Sequence, residues 1–222
     1  MVKLCIFDLD GTLLDTLDNI TYFVNKAMRC FSLGTLGKEK VRQYVGNGAR
    51  LLIERCLKTQ NSDLPVLTVL NEYIKFYDSA PSYLVKPYDG IIPMLQTLKK
   101  SNIKIAVLSN KPDSSTKAIL NEIFGKDFFY AAYGQREGVP KKPDPYAVLD
   151  ICKGFEKSEC VFVGDTNVDI EAGKNAGLLS IGVSWGFRPC EELEASGADY
   201  IISHPTQLAD IIIPKNKTER RN

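Results

Sequence analysis

The chain has 222 residues and a formal net charge of +1, from 28 basic and 27 acidic side chains, with 44% hydrophobic and 25% charged residues. That balance is ordinary for a globular protein long enough to bury a sizeable core. Apart from a basic run near the C-terminus, KNKTERR, the signs are mixed along the sequence, which argues against nucleic acid and anionic membranes as partners.

No stretch approaches the roughly 18 apolar residues of a membrane span. The six cysteines (5, 30, 56, 152, 160 and 190) form no C-x-x-C pair, so the expectation is reduced thiols in an unexported, cytoplasmic protein.

The first predicted element is a strand over residues 3–7, KLCIF, which ends in two carboxylates, Asp8 and Asp10, followed by Gly11. Unpaired buried carboxylates cost several kcal/mol each, so this strand end requires a cation, a hydrogen-bond network or chemistry. Four predicted helices follow, over 18–31, 37–45, 47–59 and 64–80, before Pro81, Pro87 and Asp89-Gly90 mark a return. A helix over IIPMLQTLKKSN leads to a strand at 104–109, and a helix over SSTKAILNEIFG stops at Gly125. Strands are expected at 160–164, 178–184 and 199–203, and the terminal PKNKTERRN is expected to fray.

Near-continuous apolar strands separated by helix-length segments indicate an α/β fold, a parallel sheet covered on both faces. About 90 residues separate the first two core strands, far more than one crossover needs. The organisation expected is therefore a parallel-sheet core, residues 1–14 and 83–222, with a small helical domain, 15–82, inserted next to the end of the first strand.

In an open α/β sheet, ligands bind outside the carboxyl ends of the strands, and there the unusual polar residues collect. Asp8 and Asp10 follow the first strand; Ser109, Asn110 and Lys111 follow IAVL; Lys142 lies in KKPDP; Asp165 and Asp169 lie in GDTNVDIEAG. Singly, Ser109 or Asp165 would pass for a helix N-cap, Lys142 for a solvated loop lysine and Asp169 for a first-turn acid. Together they require a cation, because neighbouring carboxylates raise one another's pKa. All-oxygen ligation suits Mg²⁺, which keeps waters and bridges to phosphate, and Lys142 with the groups around Ser109 would complete an anion pocket. A carboxylate beside a phosphoryl group is a competent nucleophile, and a second can manage the proton.

In order and placement, DLDGT, the serine of LSNK, the lysine of KKPDP and the acids of GDTNVD resemble the four motifs of haloacid dehalogenase-like hydrolases. The segment YVGNGARLLIERCL resembles the helical cap of phosphoglycolate phosphatase-type members, and the resemblance implies a Rossmann-like α/β core with that cap inserted after the first motif. The resemblance implies Asp8 as nucleophile and Mg²⁺ ligand, and Asp10 as general acid/base that also ligates through its backbone carbonyl. It implies Asp165 as the third protein ligand, Ser109, Asn110 and Lys142 on the transferring phosphoryl group, and Asp169 supporting the metal or Lys142.

The expected activity is hydrolysis of a small phosphorylated metabolite, with phosphoglycolate leading. Alternatives are a β-phosphoglucomutase-like phosphotransferase, against which Thr12 speaks, and a non-catalytic phosphate-binding regulator. Dehalogenation is disfavoured by Asp10 and the GDTNVD acids. In GNGAR, two glycines would let the backbone approach a ligand, and Arg50 is a candidate for pairing with a substrate carboxylate, or else a solvated helix residue. Trp185 and Phe187 are expected to pack beneath their loop.

Overall fold

A computed structural model describes residues 1–213, and the terminal PKNKTERRN lies outside the described residues. In chain order the elements are β1 (Leu4–Phe7), β2 (Leu14–Asp15), α1 (Leu17–Cys30), α2 (Lys38–Tyr44), α3 (Ala49–Thr59), α4 (Val66–Ser79) and β3 (Lys86–Pro87). They continue with α5 (Ile91–Lys100), β4 (Lys104–Pro112), α6 (Asp113–Phe124), β5 (Ala131–Gln135), α7 (Tyr146–Ile151), β6 (Cys160–Gly164) and α8 (Asn167–Ala176). The last are β7 (Leu179–Val183), α9 (Cys190–Ala195), β8 (Tyr200–Ile202) and α10 (Thr206–Ile212).

Six strands form one sheet in the order β5-β4-β1-β6-β7-β8, every neighbouring pair parallel. Successive side chains of a strand face opposite ways, and β1 divides accordingly. Cys5 and Phe7 join a layer with α5, α6 and α10, including Leu95, Ile119 and Leu208. Leu4 and Ile6 join the opposite layer with α7 and α8, including Val148 and Ala172. Burial on both faces explains why this strand is apolar throughout. The expected Rossmann-like α/β sheet is the fold observed.

One strand of this sheet escaped the sequence pattern, as did the two-residue strands β2 and β3. β5, AAYGQ, is an edge strand, mostly half-buried, and lacks the β-branched run that marks its neighbours. Helices α7, α9 and α10 span six or seven residues, too short for a helical period to stand out.

Helices α1 to α4 enclose a hydrophobic cluster of their own, around Phe23, Met28, Ile53, Cys56 and Tyr73, joined by Phe187 from the loop after β7. The chain leaves for these helices and returns through an antiparallel ribbon in which Leu14 pairs with Pro87 and Asp15 with Lys86. The segment is thereby tethered at the carboxyl end of β1.

Phe162, fully buried on β6, tests the core. Phe162→Ala should cost about 3–5 kcal/mol, measured as a fall in the urea midpoint.

Candidate active site

The chain runs from β1 to β4 and β5 on one side of the sheet, then crosses to β6, β7 and β8 on the other. The sheet therefore reverses its order at β1, and a crevice opens at such a point. Asp8 and Asp10 leave the end of β1, Ser109 to Lys111 occupy the last part of β4, and Asp165 follows β6. Lys142 arrives from the loop after β5, and Asp169 sits in the first turn of α8.

A cavity of ≈ 60 Å³ lies over these strand ends, lined by Asp8, Asp10, Ser109, Asn110, Lys142 and Asp169. Asp165 is fully buried beside them, and one carboxylate oxygen from each of Asp8, Asp165 and Asp169 falls within 4.8 Å of the others.

Lys142 organises the acids. Its Nζ donates to Asp8 Oδ1 at 2.6 Å, Asp169 Oδ1 at 2.7 Å and the Leu108 carbonyl at 2.9 Å. These use all three N–H bonds of an ammonium. The second oxygen of Asp169 accepts from the Thr166 backbone N–H and hydroxyl, so both its oxygens are held by protein donors. Asp165 accepts from the Thr12 hydroxyl at 2.8 Å and from the Phe187 backbone N–H at 2.8 Å. Asp8 Oδ2 has no hydrogen-bond partner among the described residues.

Asp10 is held separately. Lys111 donates to both of its carboxylate oxygens at 2.8 Å.

Burial pushes Asp8 up to about 7, and the charges of Asp169 and Asp10 add to the rise against the attraction of Lys142. Asp165 is pushed well above the ordinary carboxylate value by burial, then by Asp169 and Asp8. Burial alone would lower Lys142, but Asp169 and Asp8 outweigh it and raise it. The ammonium stays charged while its carboxylates compete for more positive charge than one lysine supplies.

Room for the acids comes from missing side chains. A Cβ on Gly11 or Gly186 would collide with the Asp165 side chain, and one on Gly164 with that of Asp169. Gly11 also has φ +94, a conformation L side chains rarely adopt.

The structure does not bring Arg50 to this cavity. Its side chain is exposed on α3, and the helical walls are formed by residues including Ile20, Ala49, Leu52, Tyr73 and Tyr77. Gly46 and Gly48 of GNGAR do line the cavity, and they also approach the core: Asn110 donates to the Gly46 carbonyl, and Gly48 lies over Lys141 and Asn110. Lys111 is the site residue whose use went unassigned from sequence, since nothing local signals its pairing with an aspartate 101 residues away. Trp185 and Phe187 do more than pack: Trp185 Nε1 donates to the Thr12 carbonyl at 3.0 Å, and the Phe187 backbone holds Asp165.

Residues 5–183 match the model of the haloacid dehalogenase-like hydrolases. The chain belongs to this family. It is 32% identical over 213 residues to a phosphoglycolate phosphatase of Aquifex aeolicus, covering 95% of this chain and 97% of that one. An N-acetylmuramic acid 6-phosphate phosphatase of Pseudomonas aeruginosa is 29% identical over 222 residues, covering 95% of each. A solved structure described as a predicted phosphoglycolate phosphatase from Haemophilus somnus superposes with TM-score 0.88 at 26% identity, covering 95% of this chain and 97% of that one.

For a haloacid dehalogenase-like hydrolase the acid cluster fits a divalent cation. The donors are carboxylate oxygens only, buried, mutually repelling, and close enough to share one ion. Neither thiol nor imidazole is near, which sets the site apart from zinc centres.

The shifts have a consequence for stability. Asp8 and Asp165 hold protons more tightly when folded than at the ordinary aspartate value of 3.8. The Asp8 contribution is complete below that value and is lost as pH rises through about 7, and the raised Asp165 loses its contribution in the same direction. Metal-free protein should therefore melt at a lower temperature at pH 8 than at pH 6, and a divalent cation should reverse the loss. Equal melting temperatures, indifferent to cation, would contradict the electrostatic account.

Proposed function

We propose that this phosphoric monoester hydrolase acts on a small phosphorylated metabolite, with Asp8 as nucleophile and Mg²⁺ held by Asp8, Asp165 and the backbone carbonyl of Asp10. The observation that carries the reading is the state of Asp8: Oδ1 is fixed by Lys142 at 2.6 Å, Oδ2 has no partner among the described residues, and the residue lines the cavity.

The Asp8 carboxylate attacks phosphorus, giving an aspartyl-phosphate as the leaving alkoxide departs. Asp10, held at the same strand end, gives that alkoxide its proton and later takes one from the water that hydrolyses the intermediate. Bound Mg²⁺ supplies positive charge against the carboxylates and the phosphoryl oxygens.

Ser109, whose Oγ accepts only the Lys111 backbone N–H at 3.2 Å, retains its own proton to donate to a phosphoryl oxygen. Lys142 reaches the phosphoryl group by exchanging one of its present acceptors. The Asn110 amide is committed to the Gly46 and Lys142 carbonyls and the Lys142 N–H; its part is to place Lys142 and the helical segment. Asp169 acts as the positioning residue for Lys142.

Residues 1–14 and 83–222 form the catalytic core in this reading, and residues 15–82 form a cap that excludes bulk water. The hydrogen bonds from Arg188 to the Arg42 and Val45 carbonyls, and from Arg42 to the Gly186 carbonyl, support a closed cap. Phosphoglycolate is the leading substrate because similar proteins of Aquifex aeolicus, Vibrio vulnificus and Pseudomonas aeruginosa are named phosphoglycolate phosphatase. Cytoplasmic small-molecule metabolism is the setting proposed; among the described residues no helix is long and apolar enough to cross a membrane.

Phosphate release from a panel of small esters, with and without Mg²⁺, tests the proposal. Asp8→Asn should lower turnover by roughly a thousandfold or more. Full activity in that variant, or turnover independent of a divalent cation, would sink the mechanism, and interconversion of glucose 1- and 6-phosphates would mark a mutase instead.

A further inference from the structure

The cavity extends past the strand ends, between Ile20, Leu52, Tyr73, Ile74 and Tyr77 of the helical segment, where a leaving group would lie. Among the described residues only two cations line it, Lys142 and Lys111, both from the sheet side. The helical segment contributes none. Arg50 is exposed, Arg42 donates to the Gly186 carbonyl, and Arg55 donates to the Tyr44 carbonyl and Asn47. An anionic group on the substrate, buried here, needs a cationic partner.

Lys142 has three acceptors already in place, and the N–H it frees by exchange goes to the phosphoryl group in the reading above. Lys111 has two acceptors, the oxygens of Asp10, so one N–H remains unspent. Its side chain is only 6% exposed, and Nζ lies 4.7 Å from the centre of the Tyr77 ring. The buried hydroxyl of Tyr77 also lacks a hydrogen-bond partner among the described residues.

A second feature narrows the choice. Asp78, on α4, lines the same cavity with Oδ1 accepting from the Ser115 hydroxyl at 2.6 Å. It repels a further anion, which leaves Lys111 as the place where one is stabilised. Keeping a buried ammonium with an unspent donor is costly, and a carboxylate oxygen satisfies it better than a neutral hydroxyl.

We infer that Lys111 determines substrate specificity: its remaining N–H receives an oxygen of the leaving group, on the wall that also carries Tyr77, and the site prefers phosphomonoesters whose leaving group bears a carboxylate. The inference rests on the phosphatase reading above and assigns the acid-recognising role to Lys111 and not to Arg50.

Two esters of matched carbon number separate the possibilities: phosphoglycolate, and 2-hydroxyethyl phosphate, in which a hydroxymethyl replaces the carboxylate. The wild-type chain should show the higher kcat/KM for phosphoglycolate. Lys111→Met disturbs Asp10 for both esters alike, and the ratio of the two kcat/KM values removes that shared loss. The ratio should fall by roughly 10- to 100-fold, mainly through a higher KM for phosphoglycolate.

Lys111→Arg, which keeps the cation and guards against misfolding of the first variant, should retain most of the preference. Arg50→Ala should leave it intact. An unchanged ratio in Lys111→Met, a ratio lost in both Lys111 variants alike, or a ratio lost in Arg50→Ala would overturn the assignment. A wild-type chain that turns over only the hydroxyethyl ester would overturn it too, with the phosphatase reading intact. A wild-type chain that hydrolyses no ester would remove the phosphatase reading and this inference with it.

Discussion

The arrangement at the carboxyl edge of the sheet depends on one ammonium group. Lys142 is almost completely buried, and its three bonds reach Asp8 after β1, Asp169 in the first turn of α8 and the Leu108 carbonyl in β4. Removing a partner from such a group leaves an uncompensated buried charge, typically a loss of about 3–5 kcal/mol. Its position is fixed from outside as well, because the Asn110 side chain accepts from the Lys142 backbone N–H and donates to its carbonyl. The lysine thus joins β1, β4 and α8 through charge, where the sheet itself joins only neighbouring strands through backbone hydrogen bonds.

The same economy links the helical segment to the core. Asn110 donates to Gly46 as well as holding Lys142, so one amide serves both the loop carrying the lysine and the turn entering α3. The Phe187 ring is buried in the helical cluster while its backbone N–H holds Asp165. Arg188, next in sequence, donates to carbonyls of α2 and the turn after it. The loop after β7 therefore belongs to the acid cluster by its backbone and to the helices by its side chains.

Much of this was legible in the sequence, for physical reasons that differ by element. Strands covered on both faces must be apolar throughout, so β1, β4, β6 and β7 stand out, while the half-covered edge strand β5 does not. The acids at the strand ends were conspicuous because carboxylates after apolar runs are costly without partners. Partnerships across the fold carried no local signal: Lys111 with Asp10 and the Phe187 backbone with Asp165 are set by topology, and Lys142 with Asp169 was expected only through the family resemblance. In GNGAR the glycine pattern reported both a wall of the cavity and a close approach to the core backbone, two causes that look the same in sequence.

Gly11, Gly164 and Gly186 leave the space that the Asp165 and Asp169 side chains fill. This makes the site's tolerance of mutation uneven in a way its reactive groups do not reveal. Adding a single methyl at any of the three removes room from an acid that must stay where it is, although none of these glycines supplies a functional group. A neutral-drift or saturation library would meet its sharpest boundaries at these silent positions as well as at the charged ones. The volume left out of the chain is as much a part of the site's specification as the carboxylates put in.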